Sequence, residues 1–246
     1  MRAVLLLAAL LLLLAPAFAG ELPSGFVYLR DVDASIVQDM RYAAHDNFVG
    51  NPLPGYGASE CILRRDVAVA LSKVQADLAR QKLSLKVYDC YRPRRAVAAM
   101  ARWAKDGARV QPTKRFFPAL DKQRLFSLGY IASQSAHSTG TAVDLTLVAL
   151  PATSPAPYDK TAQYGPCTAA AAERAPDNSL DMGTGFDCFD PKSHTASGAI
   201  SPAQARWRAV LKEAMQRHGF TNYFREWWHF SFGAPGPAQD VAITPR

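Results

Sequence analysis

Between Arg64 and Leu83 the apolar residues Val67, Leu71, Val74 and Leu78 recur at three- and four-residue steps, which predicts an amphipathic helix. The period then changes. Leu83, Leu85 and Val87 alternate with Ser84, Lys86 and Tyr88, predicting a strand that ends near Asp89. Pro93 opens a second helix, where its missing N–H costs nothing, with Val97, Met100, Ala101 and Ala104 on the inner side. Ser201-Pro202-Ala203-Gln204 reads as a capping box with proline at the first helical position. That helix runs past Trp207, Val210, Leu211 and Met215 to Gly219, a C-terminal stop. From Thr141 to Leu147, Ala142, Asp144 and Thr146 alternate with Val143, Leu145 and Leu147, a second strand. Tyr223 to Phe232 is dense in aromatics and reads as a third. Pro151 to Asn178 has no period and is expected to be a long surface loop tied down by Cys167. Helices and strands mix without regular βαβ alternation. The expected architecture is a single α+β domain, its mainly antiparallel sheet flanked by helices.

The first residues follow a different rule. Arg2 precedes an unbroken apolar run from Ala3 to Leu14, and Ala17-Phe18-Ala19 offers small residues where a signal peptidase cuts. Residues 1–19 are therefore expected to be a cleaved secretory signal and residues 20–246 the mature domain. The apolar run falls short of the roughly 20 residues that span a bilayer. The expected mature protein is soluble, exported, and periplasmic or secreted. Of the net charge of +7, only Arg2 lies in the leader, and the remaining Lys and Arg are scattered. That pattern argues for a solvated surface rather than a nucleic-acid partner. Four cysteines, Cys61, Cys90, Cys167 and Cys188, suit disulfides in an oxidising compartment. Of three possible pairings, the local one is expected: Cys61–Cys90 and Cys167–Cys188.

Five histidines occur, and two have informative company. His137 lies ahead of Gly140 and of Asp144, so a glycine turn can bring imidazole and carboxylate to one point. An ordinary His–Asp hydrogen bond is the competing explanation. Glu226-Trp227-Trp228-His229 is the second cluster. A catalytic zinc takes three protein ligands and leaves one position for water. His137, Asp144 and His229 supply two neutral imidazoles and one carboxylate, and the net +1 that remains lowers the pKa of that water, whose proton Glu226 can take. In an ideal strand Glu226 and His229, three apart, face opposite sides; a bulge, a strong twist or a strand end is needed. Arg92 follows a strand and precedes a helix, a fixed position from which to stabilise an oxyanion or to pair with a carboxylate such as Asp89.

At these points the sequence resembles the zinc D-alanyl-D-alanine dipeptidases, the family of the vancomycin-resistance dipeptidase, within a wider group of zinc D,D-peptidases. The group's S-x-H-x-x-G-x-A-x-D motif is Ser135 to Asp144, and its late E-x-x-H is Glu226 to His229. The narrower family's D-x-Y-R-P is Asp89 to Pro93, Y-A-x-x-D-N-F-x-G is Tyr42 to Gly50, and M-G-x-x-F-D is Met182 to Asp187. The resemblance implies one Zn2+ per chain, held by His137, Asp144 and His229 in a cleft on the sheet. It implies Glu226 as general base and acid and Arg92 as transition-state stabiliser. Asp187 then receives the substrate's ammonium group, and Ser135, Tyr42 and Tyr56 line a small D,D-dipeptide pocket. Rival functions are a zinc D,D-carboxypeptidase or endopeptidase acting on peptidoglycan stems, and a zinc-bearing binding module without catalysis. The leader, the four cysteines and the 151–178 stretch depart from the resistance enzyme, which works in the cytoplasm.

Overall fold

A computed structural model describes residues 22–106 and 113–246; the leader expected at 1–19 lies outside the described residues. In chain order the elements are β1 (Phe26–Tyr28), α1 (Leu29–Val32), β2 (Val37–Gln38), β3 (Ile62–Arg64), α2 (Arg65–Ala79) and β4 (Leu83–Asp89). They continue with α3 (Arg94–Lys105), β5 (Ala142–Ala149), α4 (Pro202–Arg217), β6 (Phe220–Asn222) and β7 (His229–Phe232). Five strands form one sheet in the order β2-β4-β5-β7-β6, antiparallel except for the β2–β4 edge pair, which is parallel. β1 and β3 make a separate antiparallel pair. The architecture is α+β in a single domain, as the patterning predicts.

The apolar stripes explain how the layers meet. Val67, Leu71, Val74 and Leu78 of α2 are fully buried. Gln75 on the same face ties helix to strand: its amide donates to Ser84 Oγ at 2.9 Å, and Leu85 N–H donates to Gln75 Oε1 at 2.8 Å. The capping box of α4 is present, with Gln204 N–H donating to Ser201 Oγ and Ser201 N–H to Gln204 Oε1. The buried Arg208 side chain donates to the carbonyls of Met182, Lys192 and His194, fixing the loop ahead of α4.

Both central strands are buried on their two faces, so Lys86, on the polar side of the alternation, is also buried. The 151–178 stretch is the reason. It is irregular apart from a 3₁₀ turn at Ala171–Glu173, and it covers the sheet with Asp177, which accepts from Lys86, Arg41 and Tyr88. Disulfides join Cys61 to Cys90 and Cys167 to Cys188, the local pairing. Among the described residues no helix is long and apolar enough to cross a membrane.

One expected element differs. The 223–232 segment is not a continuous strand: β6 ends at Asn222, residues 223–228 turn, and β7 starts at His229. The Asn222 side chain donates to the carbonyls of Glu226 and His229, at 3.0 Å each, and closes the turn.

Candidate active site

Val87 pairs with Leu145 but Asp89 pairs with Asp144, so Tyr88 is an extra residue in β4. Such a bulge re-aims the next side chain. Asp144 in turn lies opposite His229 of β7. Residues opposite one another on antiparallel strands share a face, so Asp89, Asp144 and His229 form a row across three strands. His137 approaches from the 3₁₀ turn Ala136–Thr139, where its N–H donates to Ser135 Oγ at 3.2 Å. Gly140 ends that turn at φ +70°, and a Cβ there would meet the Phe26 ring at 2.4 Å. Glycine is required on both counts.

The three side chains meet at one point. His137 Nε2 lies 3.3 Å from Asp144 Oδ1 and 3.2 Å from His229 Nδ1, and His229 Nδ1 lies 2.9 Å from Asp144 Oδ1. Donors about 2.0–2.1 Å from a common ion at tetrahedral angles sit roughly 3.3 Å apart, so the set has the dimensions of a three-ligand metal site. The outer contacts orient it. His137 Nδ1 lies 2.7 Å from the Cys90 carbonyl, a contact that turns Nε2 toward Asp144 and His229. Burial pushes the Asp144 carboxyl up, but the two imidazoles outweigh it and hold the group well below the usual carboxylate range.

The turn ahead of β7 resolves the geometry of Glu226. Its N–H donates to Tyr223 O at 3.0 Å, and its Oε2 comes within 3.9 Å of His229 Nδ1. It sits beside the His137–Asp144–His229 group. Burial pushes the Glu226 carboxyl up to about 7, against the opposing pull of His229. That is the range in which a carboxyl both takes and gives a proton. A cation held by His137, Asp144 and His229 would pull it back toward ordinary values.

Arg92 reaches the same place from the start of α3. Its Nε donates to Asp89 Oδ2 at 2.8 Å, its Nη2 lies 3.4 Å from Asp144 Oδ2, and its guanidinium stands 4.9 Å from the centre of the Tyr42 ring. Tyr42 Oη donates to Asp187 Oδ2 at 2.7 Å. Burial, with the Asp144 carboxylate adding to it, pushes the Asp187 carboxyl well above its usual range.

A cleft of about 270 Å³ joins these groups, lined by His137, Asp144, His229, Glu226, Arg92, Asp187, Tyr42 and Ser135. Tyr56 is not on its wall. The Tyr56 hydroxyl donates to Asp89 Oδ1 at 2.6 Å, one step behind Arg92. Phe48, Tyr130, Phe189 and Trp228 are among the other residues that line it. Of these, Phe48 and Trp228 fall in motifs singled out above, and Tyr130 and Phe189 do not. Arg225 donates to the Leu128 carbonyl, tying the Gly129–Tyr130 rim to the Glu226 turn, a contact no local pattern announces.

A family model described as D-ala-D-ala dipeptidase matches residues 23–156 and 171–242. The chain belongs to that family. It is 33% identical over 206 residues to the D-alanyl-D-alanine dipeptidase of Enterococcus faecium, covering 84% of this chain and 90% of the relative. The D-alanyl-D-alanine dipeptidase of Streptomyces coelicolor is 31% identical with the same coverage, 84% and 90%. That of Escherichia coli is 30% identical over 192 residues, 78% of this chain and 76% of the relative. Membership makes the chain a hydrolase of the metallopeptidase class. Residues 157–170, inside the 151–178 stretch, fall outside the match.

Proposed function

We propose that this chain is a zinc dipeptidase that hydrolyses D-alanyl-D-alanine to two molecules of D-alanine, working outside the cytoplasm after loss of residues 1–19. The carrying observation is the meeting of His137 Nε2, Asp144 Oδ1 and His229 Nδ1 within 3.3 Å of one another, with Glu226 Oε2 3.9 Å from His229 Nδ1. Three relatives named D-alanyl-D-alanine dipeptidase support the substrate. Two disulfides and the apolar leader support export.

His137, Asp144 and His229 would hold the zinc, which would supply Lewis-acid polarisation of the scissile carbonyl and of the attacking water. Glu226 accepts a proton from that water as its oxygen bonds to the carbonyl carbon. It then delivers the proton to the leaving nitrogen as the C–N bond breaks. Arg92 stays charged, because Asp89, Tyr42, Tyr56 and Asp144 together outweigh its burial, and it donates to the oxygen that becomes negative in the tetrahedral intermediate. Asp187 pairs with the substrate's ammonium group beside Tyr42, while Ser135 holds the His137 turn and lines the pocket. A free dipeptide has little apolar area, so recognition rests on its charged ends. Tyr56 acts through Asp89.

The test is incubation of the purified zinc-loaded protein with D-alanyl-D-alanine and, separately, with a stem pentapeptide ending in D-alanyl-D-alanine. Release of D-alanine from the dipeptide is expected. Release from the pentapeptide alone would assign the chain to the D,D-carboxypeptidases, and zinc binding without turnover of either would make it a binding module.

A further inference from the structure

Asp187 has φ +55°, in the left-handed region, which non-glycine residues take infrequently, Asp more readily than most. On one side Phe186 stacks on Tyr88 with ring centroids 4.6 Å apart. On the other side Cys188 is bonded to Cys167, and its carbonyl accepts from Ser193 Oγ at 2.7 Å. Cys167 is itself anchored: its N–H donates to Arg115 O, and its carbonyl accepts from Gly185 N–H, each at 2.8 Å. The segment from Gly185 to Cys188 is therefore clipped to Cys167 at both ends, with Asp187 between the clips. Cys167 falls in the 157–170 gap of the family match, so one half of the clip belongs to the part of this chain that departs from the family pattern.

We propose that the Cys167–Cys188 bridge is a positioning device for substrate capture, holding Asp187 in the left-handed backbone that presents its carboxylate to the cleft. This rests on the reading of Asp187 as the partner of the substrate's ammonium. The other bridge serves the opposite end of the site. Cys90, bonded to Cys61, supplies the carbonyl that accepts from His137 Nδ1 at 2.7 Å, and Arg92 N–H donates to His137 O at 3.2 Å. The two bridges therefore differ in what they control: Cys167–Cys188 the affinity for substrate, Cys61–Cys90 the metal and the chemical step.

The experiment compares the full mature enzyme with Cys167→Ser/Cys188→Ser, Cys61→Ser/Cys90→Ser and Asp187→Asn, measuring zinc per chain, kcat and KM on D-alanyl-D-alanine. Opening Cys167–Cys188 is expected to raise KM by about 10- to 100-fold, the share of one charge-assisted hydrogen bond, with kcat within about threefold and zinc unchanged. Added to Asp187→Asn, it should raise KM little further, because both changes remove one interaction. Cys61→Ser/Cys90→Ser should instead lower kcat and weaken zinc retention. If Asp187→Asn raises KM and Cys167→Ser/Cys188→Ser does not, the positioning role is wrong and the reading of Asp187 stands. If Asp187→Asn leaves KM unchanged, that reading falls and the proposal with it. Should the serine pair fail to fold, the folded wild type is reduced with a phosphine, and opened bridges are assigned by alkylation and peptide mass. A rise in KM at unchanged circular dichroism supports the proposal; loss of the dichroism signal on opening refutes it.

Discussion

Asp89 is wholly buried, yet it accepts from Tyr56 Oη at 2.6 Å and from Arg92 Nε at 2.8 Å. It holds the guanidinium that stands beside Asp144. Tyr56→Phe removes one donor from that carboxylate and leaves the cleft wall intact. Steady-state kinetics should then show a lower kcat with KM nearly unchanged, and a smaller loss than Arg92→Ala gives. A rise in KM alone would return Tyr56 to the pocket. For Glu226→Gln, which keeps the shape of the side chain and removes its basicity, zinc content should stay at one per chain while kcat falls by at least about 10². Loss of the metal would instead make Glu226 a ligand. Motif spacing made most of these groups legible, including the Asp89–Arg92 pair three residues apart. The support role of Tyr56 was not, because its partner lies 33 positions along the chain.

The row Asp89–Asp144–His229 depends on a bulge at Tyr88 and on a turn that ends where β7 begins. Neither follows from periodicity. Aromatic density carried the expected third strand through residues 223–228, although Asn222 closes them into a turn that lets Glu226 and His229 converge. The helices were legible because burial of one stripe follows directly from the 3.6-residue repeat. The His137 turn is sensitive to change at Gly140. Gly140→Ala combines a left-handed backbone with a Cβ 2.4 Å from the Phe26 ring. Thermal or urea unfolding should show a loss of about 2–5 kcal/mol, the sum of backbone strain and overpacking. A loss under about 0.5 kcal/mol, the range of a neutral surface change, would mean that the turn relaxes freely.

The covering stretch 151–178 is held to the sheet largely by charge. Burial pushes the Asp177 carboxyl up, but Arg41 and Lys86 outweigh it and hold the group below the usual carboxylate range. A carboxyl depressed on folding lends stability above its unfolded value of about 3.9 and loses it as pH falls through its folded value. The melting temperature should therefore drop as pH falls below about 4. Asp177→Asn should melt lower than wild type near neutral pH, since it leaves the buried Lys86 and Arg41 short of a counter-charge, and its profile should be flatter in acid. Parallel profiles would remove Asp177 from the account. Here the chain said least in advance: an aperiodic loop gives no sign of which face it covers, and Lys86 in an alternating strand looks like a solvated lysine. The disulfides follow the expected local pairing, although four cysteines allow three pairings and their positions alone do not choose among them.

Zinc K-edge X-ray absorption on the purified protein, beside His229→Ala, tests the central claim most directly. The expected spectrum is that of one four-coordinate zinc with two imidazoles and oxygen donors at about 2.0–2.1 Å, and one imidazole fewer or no metal in the variant. A sulfur shell, or a wild-type spectrum unchanged by His229→Ala, would place the metal elsewhere.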